Sequence, residues 1–207
     1  IQVTNDNKEA ARGADIIIVA VKPWKVSEVL KPIHPQRPQI LVSLAAGVTM
    51  EQLAQYVDPE MPIFRIIPNT AIAVRASMTL VCGRNATEEQ SQMLLDIFNE
   101  MGLAMMVKEE QLEAATSLSS CGIAFVLKYV QAAMQAGIEM GISPRNSMCM
   151  VAQTLTGAAS ILLEQNTHPS VEIDKVTTPG GITIKGLNEL EHAGFTSAII
   201  RALKASR

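Results

Sequence analysis

The hydrophobic pattern changes period near Lys108, and no single-class fold satisfies both halves. From Ile1 to about Val107, short β-branched runs alternate with helical stretches. The strongest run, Ile16-Ile-Ile-Val-Ala-Val21, is continuously apolar and is bounded by Asp15 and by Lys22-Pro23. A strand apolar on both faces suits the middle of a parallel sheet covered by helices on both sides. Further strands are expected over residues 39–43, 63–67, 78–81 and 104–107, with helices over 8–12, 26–30, 50–56 and 87–101. Residues 1–4 also read as a strand, so the chain is expected to begin inside a fold. Alternation of this kind implies an α/β domain over residues 1–107.

From residue 108 to 207 the strand signals stop and the pattern is helical. Residues 123–142 are apolar except for Lys128, Gln131, Gln135 and Glu139 and the small Gly137 and Gly141. Those four polar residues step by three, four and four, which puts them in one narrow stripe. Gln153, Thr156, Ser160 and Glu164 repeat the spacing in the next helix, for which Ser143-Pro144 supplies a start signal. A helix with so narrow a polar stripe must bury most of its circumference. Two such helices cannot both be covered by their own chain, so an oligomer is expected. The 11 methionines, including Met134, Met140, Met148 and Met150, suit irregular intersubunit contacts, although core filling explains them equally simply.

Composition narrows the function classes. Lys and Arg total 17 against 20 Asp and Glu, a net charge of −3 with no basic run, which argues against nucleic acid as a partner. Purely apolar stretches fall well short of the ~20 residues of a membrane helix, so no membrane partner is expected. Cys82, Cys121 and Cys149 are sparse and odd in number, a pattern of reduced thiols that points to the cytoplasm. His34, His168 and His192 are equally scattered, and no metal site is expected.

The best chemical candidate is Val176-Thr-Thr-Pro-Gly-Gly-Ile-Thr-Ile-Lys-Gly-Leu187. Gly180-Gly181 lets backbone approach a ligand closely, and a helix start behind it favours an anion. Thr178 and Thr183 add hydroxyls, so the loop suits a carboxylate. A plain helix cap is the simpler alternative. The second candidate is Ala20-Val-Lys-Pro23, directly after the strongest strand, where ligands of open parallel sheets bind. Lys22 would meet an anionic cofactor there, or be a surface lysine. Ser43-Leu-Ala-Ala-Gly47 follows the next strand in the same way, with small residues that would admit a flat ring or simply make a turn. No Ser/His/Asp set, paired acids or metal spacing supports hydrolysis.

These segments, in this order, resemble pyrroline-5-carboxylate reductase. The matching motifs are Ala20-Val-Lys-Pro23, Ser43-Leu-Ala-Ala-Gly47, Pro68-Asn-Thr70, Asp174-x-x-Thr-Thr-Pro-Gly-Gly-x-Thr183 and the Gly194 to Ala198 segment Gly-Phe-x-Ser-Ala. The resemblance implies a partial Rossmann-type dinucleotide-binding domain over 1–107 and an all-α dimerisation and substrate-binding domain over 108–207. It implies NADP or NAD as cofactor, held by Asn7, Ala20, Val21, Lys22, Pro23, Leu44, Ala45, Ala46 and, more remotely, Lys175. The substrate, 1-pyrroline-5-carboxylate, would lie against Thr178, Gly180, Gly181, Ile182 and Thr183, with Glu109 nearby. Thr183 would stand beside the imine nitrogen as the catalytic residue. The implied reaction is hydride transfer to give proline, within a homodimer or larger homo-oligomer.

Three departures from the family pattern bear on this. The family opens with a strand, a Gly-x-Gly-x-x-Gly turn, a helix and a second strand, about two units of ~30 residues that this sequence does not contain. The chain as it stands is therefore expected to bind cofactor poorly and turn over slowly. Ser119-Ser-Cys-Gly-Ile-Ala124 stands where the family has Ser-Gly-Ser-Gly-Pro-Ala, so the helix there is expected to be straighter or the nearby pocket altered. Ala71 follows Asn69-Thr70 where proline is usual. Two other readings stay open: a related dehydrogenase acting on another small acid, and a dimeric scaffold without catalysis.

Overall fold

The structure, a computed structural model, describes all of residues 1–207 and divides into two compact units, Ile1–Ser120 and Cys121–Arg207. In the first unit, β1 (Ile16–Val19), β2 (Ile40–Ser43), β3 (Ile63–Ile67), β4 (Ser77–Arg84) and β5 (Gly102–Met106) form one sheet in that spatial order. The first three strands are parallel, β4 is antiparallel to β3, and β5 is parallel to β4. The sheet is mixed where a parallel one was expected. The cause is the link between β3 and β4, which holds only a 3-10 turn (Thr70–Val74) and is too short for a parallel crossover.

Helices α1 (Asn7–Ala11), α2 (Val26–Ile33), α3 (Met50–Ala54) and α4 (Glu88–Asn99) accompany the strands. On one face Ile17, Val19, Leu41 and Ile63 pack with Val26, Leu30 and Leu53; on the other Val42, Phe64, Ile66 and Val81 pack with Leu94 and Phe98. Burying each such side chain fully is worth ~1.5–3 kcal/mol. Thr49 and Thr87 start α3 and α4 with reciprocal capping boxes to Gln52 and Gln90, worth about 1 kcal/mol each.

Two strand expectations are corrected. β1 is an edge strand rather than an interior one, and Ile18 is 52% exposed because it lies outside the cluster that α4 completes. Residues 1–4 form no strand; they pair with no neighbour, and an extended segment without ladder partners is not a strand.

After β5 come a 3-10 turn (Glu109–Gln111), α5 (Leu112–Thr116), a π-helical turn (Ser117–Cys121), α6 (Gly122–Glu139) and α7 (Pro144–Gln165). The sheet ends at Met106, and the boundary between units falls inside the π turn. The stretch before Ile123 is not straight α-helix, since Ser117–Cys121 winds as a π turn. Asn69 Nδ2 donates to the Ser119 carbonyl at 3.1 Å, which occupies one of the carbonyls that a widened turn displaces.

Ser143 caps α7 by accepting from Asn146 N–H, with Pro144 in the first turn. α8 (Pro169–Lys175), α9 (Ile182–His192) and α10 (Phe195–Ala205) complete the chain. α6 and α7 pack together where Gly137 meets Ser147, so closely that a Cβ on Gly137 would lie 2.6 Å from Ser147 Oγ. These are the sole buried residues from Cys121 onward, and neither is a large apolar side chain. The helical run Glu109–Glu139 is long and apolar enough to cross a membrane by length and composition, with a mean hydropathy of 1.3 over an 18-residue window. Polar residues interrupt it throughout, so no unbroken apolar stretch of that length exists in it.

Candidate active site

The carboxyl ends of β1 and β2 shape a cavity of about 600 Å³ lined by Ala20, Val21, Lys22, Pro23, Leu44 and Ala46. The Leu44 N–H donates to the Val19 carbonyl at 3.0 Å and ties the two walls together. Pro23 opens a 3-10 turn (Pro23–Lys25) that stops the strand and leaves Lys22 exposed at its start. Methyl-sized Ala20 and Ala46 leave room for a flat ring, and Lys22 supplies a positive charge. The lining thus offers space for a flat ring beside one positive charge, at the strand ends where open α/β sheets take ligands.

Ala45, expected with its neighbours, is not among the cavity's lining residues. It is buried in the sheet core, and its N–H donates to Ser43 Oγ at 3.3 Å. Asn7 is the first residue of α1, exposed and outside the cavity lining. Lys175, at the end of α8, pairs with Glu172 at 2.7 Å. That ammonium, together with the Thr167 hydroxyl, holds the Glu172 carboxyl below the usual carboxylate range.

Glu109 lies in the turn after β5. Its Oε1 accepts from Arg65 Nη1 at 2.7 Å and from the Met50 N–H at 2.8 Å, the first residue of α3. Arg65 is the one charged residue of β3, with its side chain 9% exposed and its Nε buried without a partner. Such an orphaned donor costs ~1–3 kcal/mol. Cys82 faces Arg65 across the β3–β4 ladder. Burial pushes its thiol up to about 11, with the Arg65 guanidinium opposing and the Glu109 carboxylate adding to the rise.

In the helical unit, Thr178-Pro179-Gly180-Gly181 closes a turn in which the Gly181 N–H donates to the Thr178 carbonyl at 2.9 Å. Proline second, glycine third with φ +74° and the closing bond are the marks of a type II turn. A Cβ on Gly181 would meet Thr178 Oγ1 at 2.6 Å and the Thr178 carbonyl oxygen at 3.0 Å, so the tight approach requires glycine. Gly181 is also the N-cap of α9 and has no side chain to cap it. The Ile182 and Thr183 N–H groups thus open α9 without a side-chain acceptor, and both residues are exposed. Gly181's own N–H is used inside the turn, so it is not among the donors available to a ligand.

Sequence reasoning missed Arg65 and Asn69. The signal for Arg65 was present: a lone cation in an otherwise apolar Ile-Phe-Arg-Ile-Ile strand needs a buried acid nearby. Asn69 was noticed only within a motif. Its side chain accepts from the Ala71 N–H and donates to Ser119, and no spacing rule reveals that second contact. No three His, Cys, Asp or Glu side chains group in a way that could hold a metal ion.

Residues 109–207 match the family model for pyrroline-5-carboxylate reductase dimerisation, and residues 1–47 match the one described as NADP oxidoreductase, coenzyme F420-dependent. The chain is 38% identical to pyrroline-5-carboxylate reductase 1 of Dictyostelium discoideum, over 99% of this chain but only 40% of that relative. It is 35% identical to the pyrroline-5-carboxylate reductase of Methanosarcina acetivorans, over 100% of this chain and 79% of that one. Among solved structures, the Plasmodium falciparum pyrroline carboxylate reductase with NADP bound superposes with a TM-score of 0.89 at 31% identity, covering 98% of this chain and 78% of that one. The Coxiella burnetii pyrroline-5-carboxylate reductase gives 0.90 at 30%, covering 98% and 77%. A ketol-acid reductoisomerase from an uncultured archaeon, at 14% identity and a TM-score of 0.57, shares the fold alone.

Proposed function

Because the chain belongs to the pyrroline-5-carboxylate reductase family, we propose that it reduces 1-pyrroline-5-carboxylate to L-proline with NADPH or NADH. The observation that carries this reading is the cavity at the ends of β1 and β2, whose lining is the Ala20–Pro23 turn with Leu44 and Ala46. The cofactor, when bound, supplies the hydride.

The Ile182 and Thr183 N–H groups at the start of α9 hold the substrate carboxylate, helped by the helix dipole and by the Thr178 hydroxyl. Thr183 Oγ1 lies beside the imine nitrogen and orients it. The imine carbon gains a hydride and the nitrogen gains a proton, giving the secondary amine of proline. A protonated nitrogen makes that carbon a better hydride acceptor. Because a threonine hydroxyl is a poor acid, the proton comes from water or arrives with the substrate, and Thr183 positions rather than donates. Most of the rate comes from holding the reacting carbons about 3–3.5 Å apart.

The helical unit buries no large apolar side chain by itself, which supports assembly with a second copy as a homodimer or a larger homo-oligomer. The same assembly gives the apolar Glu109–Glu139 run a protein partner instead of a membrane. Three unpaired thiols suit a cytoplasmic setting.

The test is imine-dependent oxidation of NADPH or NADH by this chain joined to the family's N-terminal glycine-turn units, because the chain as it stands is expected to hold cofactor poorly. Thr183→Ala should lower kcat by roughly ten- to a hundredfold, as expected for a lost positioning contact. Turnover of a hydroxy or keto acid with none of the imine would overturn the reading, and an unchanged rate in Thr183→Ala would remove that residue's role.

A further inference from the structure

One carboxylate oxygen joins three elements of the sheet unit. Glu109 Oε1, in the turn after β5, accepts both from Arg65 Nη1 on β3 and from the first N–H of α3, at Met50. Met50 is four residues beyond Ala46, which lines the cavity at the strand ends. Thr49 already caps the Gln52 N–H of the same helix turn, so Glu109 is a second, distant acceptor at that end. Arg65 is almost fully buried, whereas the Glu109 side chain is 37% exposed. The pair thus has a fixed, dry end and an end that reaches the surface.

We propose that Arg65 is a positioning residue: through Glu109 it sets both the acidic group assigned beside the substrate and the start of α3 behind the Leu44–Ala46 wall. This rests on the functional reading above, which puts cofactor against that wall, and on the family resemblance, which implies substrate near Glu109. A buried arginine that merely needs a counter-ion predicts something different. Replacing both members of a buried ion pair by neutral side chains of similar size is often harmless to folding. A counter-ion role is therefore satisfied by removing both charges, and a positioning role is not.

The experiment compares Arg65→Lys, Arg65→Met, Glu109→Gln and the Arg65→Met/Glu109→Gln double variant, each in the chain carrying the restored N-terminal glycine-turn units. It reads kcat and KM for the imine, and NADPH affinity from the fluorescence of Trp24, the single tryptophan, one residue past Pro23. The expected result is a loss in kcat/KM of roughly ten- to a hundredfold in Arg65→Met and in Glu109→Gln, with substantial recovery in Arg65→Lys. The double variant should fold yet be no worse than either single one, with NADPH bound several-fold more weakly. A double variant with the parent kcat/KM, or losses that multiply, would overturn the proposal. If Arg65→Met does not fold, the cycle of Arg65→Lys with Glu109→Gln decides by the same criterion of multiplying losses. If the parent protein, with the N-terminal glycine-turn units restored, fails to turn over the imine, the functional reading is wrong. The NADPH arm then decides the positioning role alone: weaker binding in Arg65→Met sustains it, and unchanged binding overturns it.

Discussion

The sheet unit and the helical unit place their apolar residues in opposite ways. Between Ile1 and Ser120, Leu30, Leu41, Leu53, Phe64 and Ile66 lie at essentially zero exposure, on both faces of one sheet. From Cys121 onward no large apolar side chain is buried, and Leu127 and Leu163 stand 61% and 76% exposed on α6 and α7. The first pattern closes a core within one chain, although Ile18 on β1 and Leu103 and Met105 on β5 stay exposed on the two edge strands. The second is written for a surface that a single chain does not supply, and homo-oligomerisation supplies it. Stability in the helical unit is then a property of assembly and depends on protein concentration, whereas in the sheet unit it is local.

The sharpest way to break this contrast is to charge the exposed helices. Leu127→Asp or Leu163→Asp would change a monomer's stability by less than about 0.5 kcal/mol, because surface substitutions usually do. In an assembly that covers them, an unpaired buried carboxylate costs several kcal/mol, and the expected outcome is dissociation seen by light scattering coupled to size exclusion. An unchanged oligomer would show that these side chains face solvent.

A smaller effect probes the one tight contact inside the helical unit. Gly137→Ala drives its methyl against Ser147 Oγ, a hydroxyl buried without a partner, and should cost ~1–3 kcal/mol in denaturant unfolding. Adding Ser147→Gly should restore most of that loss. Failure of the rescue would mean that helix backbone strain, not the clash, is responsible.

On the sheet side, Cys82 provides a pH signature. Its thiol releases a proton near 9 when unfolded and near 11 when folded, so the folded state holds the extra proton between those values. The thiol contribution is complete below about pH 9 and fades as pH rises to 11, by on the order of 2 kcal/mol. Cys82→Ala should flatten the decline in a series of urea melts across that range. In the same pH range exposed Cys149 should react with thiol reagents long before Cys82 does. The mildest change is Asn69→Ala, which removes the bond to Ser119 and should cost about 1 kcal/mol. Hydrogen exchange around the π turn would register it as faster opening, and an unaltered turn would show that Asn69 does not hold it.

The two units also differed in how far their residues could be read without coordinates. Short β-branched apolar runs located all five strands, and the polar stripes located α6 and α7, because those signals are set by neighbours in the chain. Sheet order escaped, since the antiparallel β4 follows from a short link rather than from any property of its own residues. The exposure of Ile18 escaped for a related reason: an apolar residue says that a face wants cover, not that the chain provides it. At the candidate site the Ala20–Pro23 turn and the Leu44 and Ala46 wall were visible as segments after strands. That Ala45 between them packs into the core was not legible, because which residue of a bend turns inward depends on the tertiary path. The Arg65–Glu109–Met50 contact spans 59 residues at its widest and has no local signature.

The measurement that bears most directly on the contrast is sedimentation velocity of the full chain across a wide concentration range, followed by circular dichroism of each species. The account predicts that the folded protein sediments at a multiple of the 22.3 kDa chain mass, and that dilution to monomer melts helix while the sheet unit persists. A stable monomer retaining its full helical signal at nanomolar concentration would contradict it.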